Sequence, residues 1–234
     1  MGFPVTASPW HDSIPEPPGN RRQHRLAELV DQDGQLLQIM DAALADAGRR
    51  AGEHLACRPG CTQCCHGAFA INELDARRLT RAMHSMRVAD PERAFRIERR
   101  ARDYVAEFGD VFPGDPATGI LGQTEEDEEA FEEFANDAAC PALDPETGLC
   151  EVYEARPMTC RVFGPPVRVE GEGEAYSVCE LCFTTASEEE IAACAMDAPY
   201  AEEERLLADL AESHGPGEPL KDPETIVAFC LLPA

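Results

Sequence analysis

The sequence predicts an α+β fold, mainly α, in which helices and small β-hairpins surround a cysteine-rich centre. Three observations carry this reading. Apolar residues recur at three- and four-residue steps over several long stretches, the mark of amphipathic helices. Short β-prone runs are bounded by Gly and Pro, which suits hairpins. Eleven cysteines crowd into 234 residues, four of them between Cys57 and Cys65. No regular alternation of strands with helices appears, which argues against a doubly wound sheet or a (β/α) barrel.

Taken in order, residues 1–20 carry Pro4, Pro9, Pro15, Pro17 and Pro18 and read as a disordered leader. Residues 21–234 read as a single domain, with a motif core over about 55–183 and a helical extension after it. Leu26, Leu29, Val30, Leu37, Met40, Leu44 and Ala47 predict a long helix that fades near Gly52. Ala68–Ile71 suits a strand. Asn72 is an N-cap for a helix through about Met86, and Asp90-Pro91 opens another through about Phe108. Arg93, Arg96, Arg99, Arg100 and Arg102 make a basic stripe on that helix, read as a solvated face paired with nearby acids.

Residues 109–124 read as a loop, and the acidic stretch 125–137 as an exposed helix or insert. Asp144–Gly148 supplies the turn of a Cys140–Cys150 hairpin. Val167 and Val169 face Tyr176 and Val178 across Gly171–Gly173 in a second hairpin. Ser187 with Glu190 forms a capping box. Further helices are expected over 199–213 and 223–232, the latter opened by Asp222-Pro223.

The formal net charge of −25 argues against nucleic acid as the main partner and leaves room for a basic protein partner. No segment approaches the ~20 apolar residues of a membrane span. Met1–Arg22 holds no uninterrupted apolar run of signal-peptide length. The expected location is therefore cytoplasmic, where thiols stay reduced, and an odd number of cysteines cannot all pair. Packed thiols in that compartment point to a metal.

Thiolate ligands must converge at about 2.3 Å from a zinc ion, which short loops with Gly or Pro allow. Cys57-x3-Cys61-x2-Cys64 has that property through Pro59-Gly60. Cys65 follows directly, and consecutive side chains diverge, so either one of Cys64 and Cys65 packs or the two serve neighbouring sites. Cys140, Cys150, Cys160, Cys179 and Cys182 complete the candidate ligands. Cys194 and Cys230 read as small buried hydrophobes on helical faces. Arg156 and Arg161 can offer guanidinium donors to thiolate sulfurs or to a cluster, or they can pair with local acids. Tyr153 and Phe163 read as packing, and His66 as a neighbour of the site.

Zinc and iron–sulfur clusters both accept such ligands. A compact run completed by remote single cysteines is more typical of a cluster, and a [4Fe–4S] cluster is favoured over zinc. The same Cys57–Cys64 spacing occurs in radical S-adenosylmethionine enzymes, but Gln63 stands where those carry an aromatic residue, and the barrel pattern is missing.

The cysteine pair, then Cys140-Pro-Ala-Leu, then Cys150-Glu-Val-Tyr-Glu-Ala-Arg-Pro-Met-Thr-Cys160-Arg-Val-Phe resembles the CxxCxxCC family of YkgJ-like zinc- or iron-chelating domains. The resemblance covers roughly residues 55–182. It implies a metal-binding protein in a structural, redox or sensory role, with Cys179 or Cys182 as the last ligand. The three-residue first gap is similar to relatives of flagellin lysine methylases, which implies a metal-dependent methyltransferase as the alternative. A structural zinc adaptor for a basic partner is a third reading.

Overall fold

The computed structural model describes residues 21–169, 175–214 and 223–233. Eight α-helices lie among them: α1 (Arg21–Ala51), α2 (Glu73–Ala89), α3 (Pro91–Phe108), α4 (Glu125–Glu132), α5 (Met158–Arg161), α6 (Glu188–Cys194), α7 (Tyr200–Ala211) and α8 (Val227–Cys230). Six short strands form three two-stranded antiparallel sheets. β1 (Ala70–Ile71) pairs with β6 (Thr225–Ile226), β2 (Gly114–Asp115) with β3 (Ile120–Leu121), and β4 (Val167–Val169) with β5 (Ala175–Ser177). The fold is α+β and mainly α, as the apolar periodicity predicts. The predicted leader and the Gly171–Gly173 turn lie outside the described residues.

The described residues gather into two compact units. The first comprises residues 60–157 with 223–233. Its α2 begins where the Asn72 side chain accepts the Asp75 N–H at 3.1 Å. Its α3 begins where Asp90 does the same for Arg93, with Pro91 in the first turn, where its missing N–H costs nothing. Apolar residues at helical spacing bury one face of each: Ala76, Leu79 and Met83 from α2, and Ala94, Ile97 and Ala101 from α3. Ile71, Val152 and Leu231 close that core.

A second cluster of the same unit is aromatic. Phe112 meets Phe134 and Phe229 edge-on, with centroids 5.7 and 4.9 Å away. Phe134 follows the acidic helix α4, whose capping box is Thr124 with Asp127. The acidic stretch is thus a short helix whose tail is buried rather than a free insert.

Two expectations are corrected here. The 109–124 loop contains the β2–β3 hairpin, closed so tightly that a Cβ on Gly114 would fall 2.2 Å from the Ile120 carbonyl oxygen. The 223–232 helix shrinks to the four-residue α8, because Thr225 and Ile226 are drawn into pairing with β1. Thr225 also donates its hydroxyl to the Gly119 carbonyl at 2.5 Å. β-branched residues fit that extended, buried position better than a helix. Asp222, the expected cap, lies outside the described residues.

The second unit comprises residues 21–59, 158–169 and 175–214. The long α1 packs against α5, α6 and α7. It buries Leu29, Leu36, Met40 and Ala47, and α7 buries Leu206 and Leu210. Val30, counted in the predicted apolar face, is exposed instead. The last turn of α1 is tied by Arg50, which donates to the carbonyls of Ala193 and Ala195 at 2.5 and 3.1 Å beside the end of α6. The Ser187–Glu190 capping box opens α6 as predicted.

Candidate metal centre

In the first unit, Gly60 takes a positive φ of 89°, which turns the chain into the loop that carries Cys61, Cys64 and Cys65. Cys65 N–H donates to the Thr62 carbonyl at 2.8 Å, closing a 3₁₀ turn over Gln63–Cys65. His66 Nδ1 donates to the same carbonyl at 3.0 Å, so this ring is anchored in the loop backbone. The chain then pairs with a remote segment. Cys140 N–H donates to the Cys65 carbonyl at 2.8 Å and Gly67 N–H to the Ala138 carbonyl at 2.9 Å. This pairing places the backbones of Cys65 and Cys140 side by side.

From Cys140 the chain turns into the predicted hairpin. Leu143 bridges Cys150 across it, and Asp144 N–H donates to the Leu149 carbonyl at 2.9 Å. The Asp144 carboxylate accepts from the Glu146 N–H at 3.0 Å and the Thr147 hydroxyl at 2.7 Å, which shapes the tip. Gly148, with φ at 67°, presses against the loop. A Cβ there would stand 3.3 Å from both Gly60 Cα and Thr62 Cγ2. The hairpin tip and the cysteine loop are therefore in close contact. Cys140 and Cys150 themselves lie against the α2–α3 core.

The thiols of this unit act on one another. A hydrogen bond from Cys65 holds the Cys64 thiol down at about 6, against its burial, with help from its own backbone N–H and the Arg156 guanidinium. Cys65, the donor of that bond, is pushed far up for the same reason, and by burial and the charges of Cys64, Cys140 and Cys150. Burial pushes Cys140 up to about 12, opposed by the backbone N–H groups of Ala142 and Leu143. Burial raises Cys150 as well, opposed by the Val152 N–H and by Arg156 and Arg93. Amide donors aimed at sulfur, with guanidiniums behind them, favour thiolates.

Among the described residues, no three His, Cys, Asp or Glu side chains stand in the geometry of a closed metal site. The four thiols are gathered but not converged. Their chemistry fits zinc or iron, since soft thiolate donors select those metals over hard, oxygen-loving cations.

The second unit holds the other candidates. Cys57 is exposed, and a Cβ on Gly164 would come 3.2 Å from its sulfur, so that glycine keeps room for the thiol. Cys160 lies on α5, which Pro157 directly precedes, and is partly buried. Arg161, only 2% exposed, is ion-paired with Asp41 of α1. Cys182 N–H donates to the Cys179 carbonyl at 2.8 Å in a tight turn. Cys182 is buried with Phe183, Ala51 and Cys194, and Cys179 packs at the edge of that cluster. Cys194 and Cys230 are both buried in apolar helical packing, as their positions on helical faces predict.

Sequence reasoning missed the role of the basic stripe. Arg93, Arg96 and Arg100 do pair with an acid, as expected, but all three converge on Glu151, the residue after Cys150 and remote from their own helix, and Arg100 is only 20% exposed. Arg102 pairs with Glu98 one turn back on α3, and Arg87 reaches the same carboxylate from α2. The available signal was the spacing of 93, 96 and 100, which puts all three on one face.

Comparison with known proteins identifies a family. The family model CxxCxxCC, described as "Putative zinc- or iron-chelating domain", matches residues 56–182, more than half of the chain. No curated protein and no solved structure matches it. No helix among the described residues is long and apolar enough to cross a membrane.

Proposed function

The chain belongs to the CxxCxxCC family, and from that premise we propose that its thiolates hold an iron–sulfur cluster of the [4Fe–4S] type. The observation that carries the reading is the pairing of the Cys64–Cys65 loop with the Cys140–Cys150 hairpin within one unit, where Cys140 N–H donates to the Cys65 carbonyl and Gly148 presses on Gly60. Cys64 and Cys65 are consecutive. They stand together, joined by a side-chain hydrogen bond, in a compact run that the remote Cys140 and Cys150 complete, an arrangement more typical of a cluster than of one ion. Cys61, in the same loop, is a further ligand candidate of that unit. Cys57, Cys160, Cys179 and Cys182 are the candidates of the other unit, and the iron-to-protein ratio counts the centres.

Each residue of the site has a part in holding the charge of such a group. Four thiolates around a [4Fe–4S]²⁺ core sum to about −2. In a chain of net charge −25 that anion needs local compensation. Arg156 supplies it at Cys64 and Cys150, and the Ala142, Leu143 and Val152 amides supply it at Cys140 and Cys150. When bound, the cluster supplies one-electron redox chemistry and a covalent cross-link between loop and hairpin. The role that follows is structural, redox or sensory, in the cytoplasm, with a basic protein as the partner that the acidic surface favours.

Anaerobic purification with an absorption spectrum and metal and sulfide analysis tests this. A broad visible band with matching iron and sulfide is expected. Colourless protein with stoichiometric zinc would overturn the cluster and leave a structural zinc site.

A further inference from the structure

The basic stripe of α3 meets the cysteine hairpin at both of its ends. Arg100 Nε donates to the carbonyl of Pro141, the residue after Cys140, at 2.8 Å. The same guanidinium donates through Nη2 to the Glu151 carboxylate. Arg93 donates to the backbone carbonyl of Glu151, the residue after Cys150. Arg93 Nε and Arg96 Nη2 also stand 3.6 Å from Glu151 Oε1. The Glu151 side chain is only 10% exposed and Arg100 20%, so that pair is largely shielded from water, whereas Arg93 and Arg96 stay 39% and 53% exposed.

We propose that Arg93 and Arg100, joined through Glu151, are positioning residues that hold Cys140 and Cys150 at a set separation for the metal. The inference rests on the metal-centre reading above and names residues which that reading does not use. Its physical basis is the rigidity of α3. Ala94, Ile97 and Ala101 fasten this helix to the core, so positions 93 and 100 lie a fixed two turns apart, roughly 10 Å along the axis. A planar guanidinium can serve two acceptors in fixed directions, which an ammonium cannot. Arg100 does this with Pro141 O and Glu151 Oε2, and so ties the first arm of the hairpin to the second. The same side chains bring positive charge near Cys140 and Cys150. Groups that orient ligands from behind commonly change metal retention 10- to 100-fold when removed.

The test uses the full chain, reconstituted anaerobically with ferrous iron and sulfide in one arm and with zinc in the other. Two quantities are read: the rate of metal release to EDTA, and hydrogen exchange of residues 140–151 in the metal-free chain. Arg100→Gln should release metal about tenfold faster and exchange those amides faster, with helical circular dichroism unchanged. Arg100→Lys should not restore wild-type values, because one ammonium cannot span both acceptors. Arg99→Gln, exposed on the same helix, should behave as wild type. If Arg100→Gln fails to fold, Glu151→Gln reports the same two quantities. Wild-type release and exchange in Arg100→Gln, or in Glu151→Gln where that variant stands in for it, would overturn the proposal, as would full rescue by Arg100→Lys, which would make charge alone sufficient. A wild-type chain that takes up neither metal sinks the metal-centre reading and this inference together. That failure is recognised before any variant is compared.

Discussion

The guanidinium of Arg156 lies 4.1 Å from the centroid of the Tyr153 ring and directs its charge at Cys64 and Cys150. The Tyr-x-x-Arg spacing around Cys150 thus has a physical purpose. The ring is a platform that keeps a long, flexible cation pointed at the thiols.

Cys64 should be the first thiol of the metal-free, reduced protein to be alkylated. Its thiol value is depressed to about 6, so the thiolate is present above that pH and is lost as pH falls through it. Any stability it contributes has the same sign: present above the ordinary thiol range and lost as pH drops through about 6. Cys65→Ala removes the largest cause, the donated hydrogen bond, and should move the midpoint upward. Arg156→Gln should move it in the same direction by less. The pH profile of iodoacetamide labelling, read by peptide mass spectrometry, checks this, and an unmoved midpoint in Cys65→Ala would refute it.

Gly148→Ala should loosen the contact between the hairpin tip and the cysteine loop. The substituted residue would have to keep φ near 67° and place its Cβ 3.3 Å from Gly60 Cα. A cost of about 1–2 kcal/mol is expected from the backbone alone. Denaturant unfolding measures the loss. Metal retention should fall with it, since the loop carries Cys61, Cys64 and Cys65.

Cys194→Ser and Cys230→Ser should leave metal content unchanged while lowering stability. Both thiols are buried in apolar clusters, where a hydroxyl without a partner costs about 1–3 kcal/mol. Metal analysis beside thermal unfolding separates the two effects. Loss of metal in either variant would show that the apolar assignment is wrong.

Metal removal should unfold locally rather than globally. Structural thiolate sites can contribute on the order of 10 kcal/mol of apparent binding energy. The loop and hairpin around residues 60–67 and 138–151 have short pairings and many turns, whereas α2 and α3 share a buried core of their own. Hydrogen exchange after chelation should rise in the first two segments and stay low in the helices. Equal protection with and without metal would make the centre an accessory to the fold.

What the sequence determined by itself was local. The Asn72 cap, the Asp90-Pro91 start, the Ser187–Glu190 box and the Asp144 turn each depend on side chains within four residues of the backbone groups they serve. Such bonds form wherever the chain carries the right residues, so composition and spacing reveal them. Cys194 and Cys230 were legible for a similar reason, since helical periodicity alone put them inward. Tertiary structure decided everything that joins remote segments. Ile71 pairs with Thr225, Cys65 with Cys140, Gly148 presses on Gly60, Arg161 takes Asp41 120 positions away, and Arg93 and Arg100 turn inward to Glu151. A two-residue strand carries no periodic signal, and a charged stripe reads as solvated until a buried acid from another segment is brought to it. Those partners are selected by the packing of whole helices, which fixes distances that no spacing along the chain encodes.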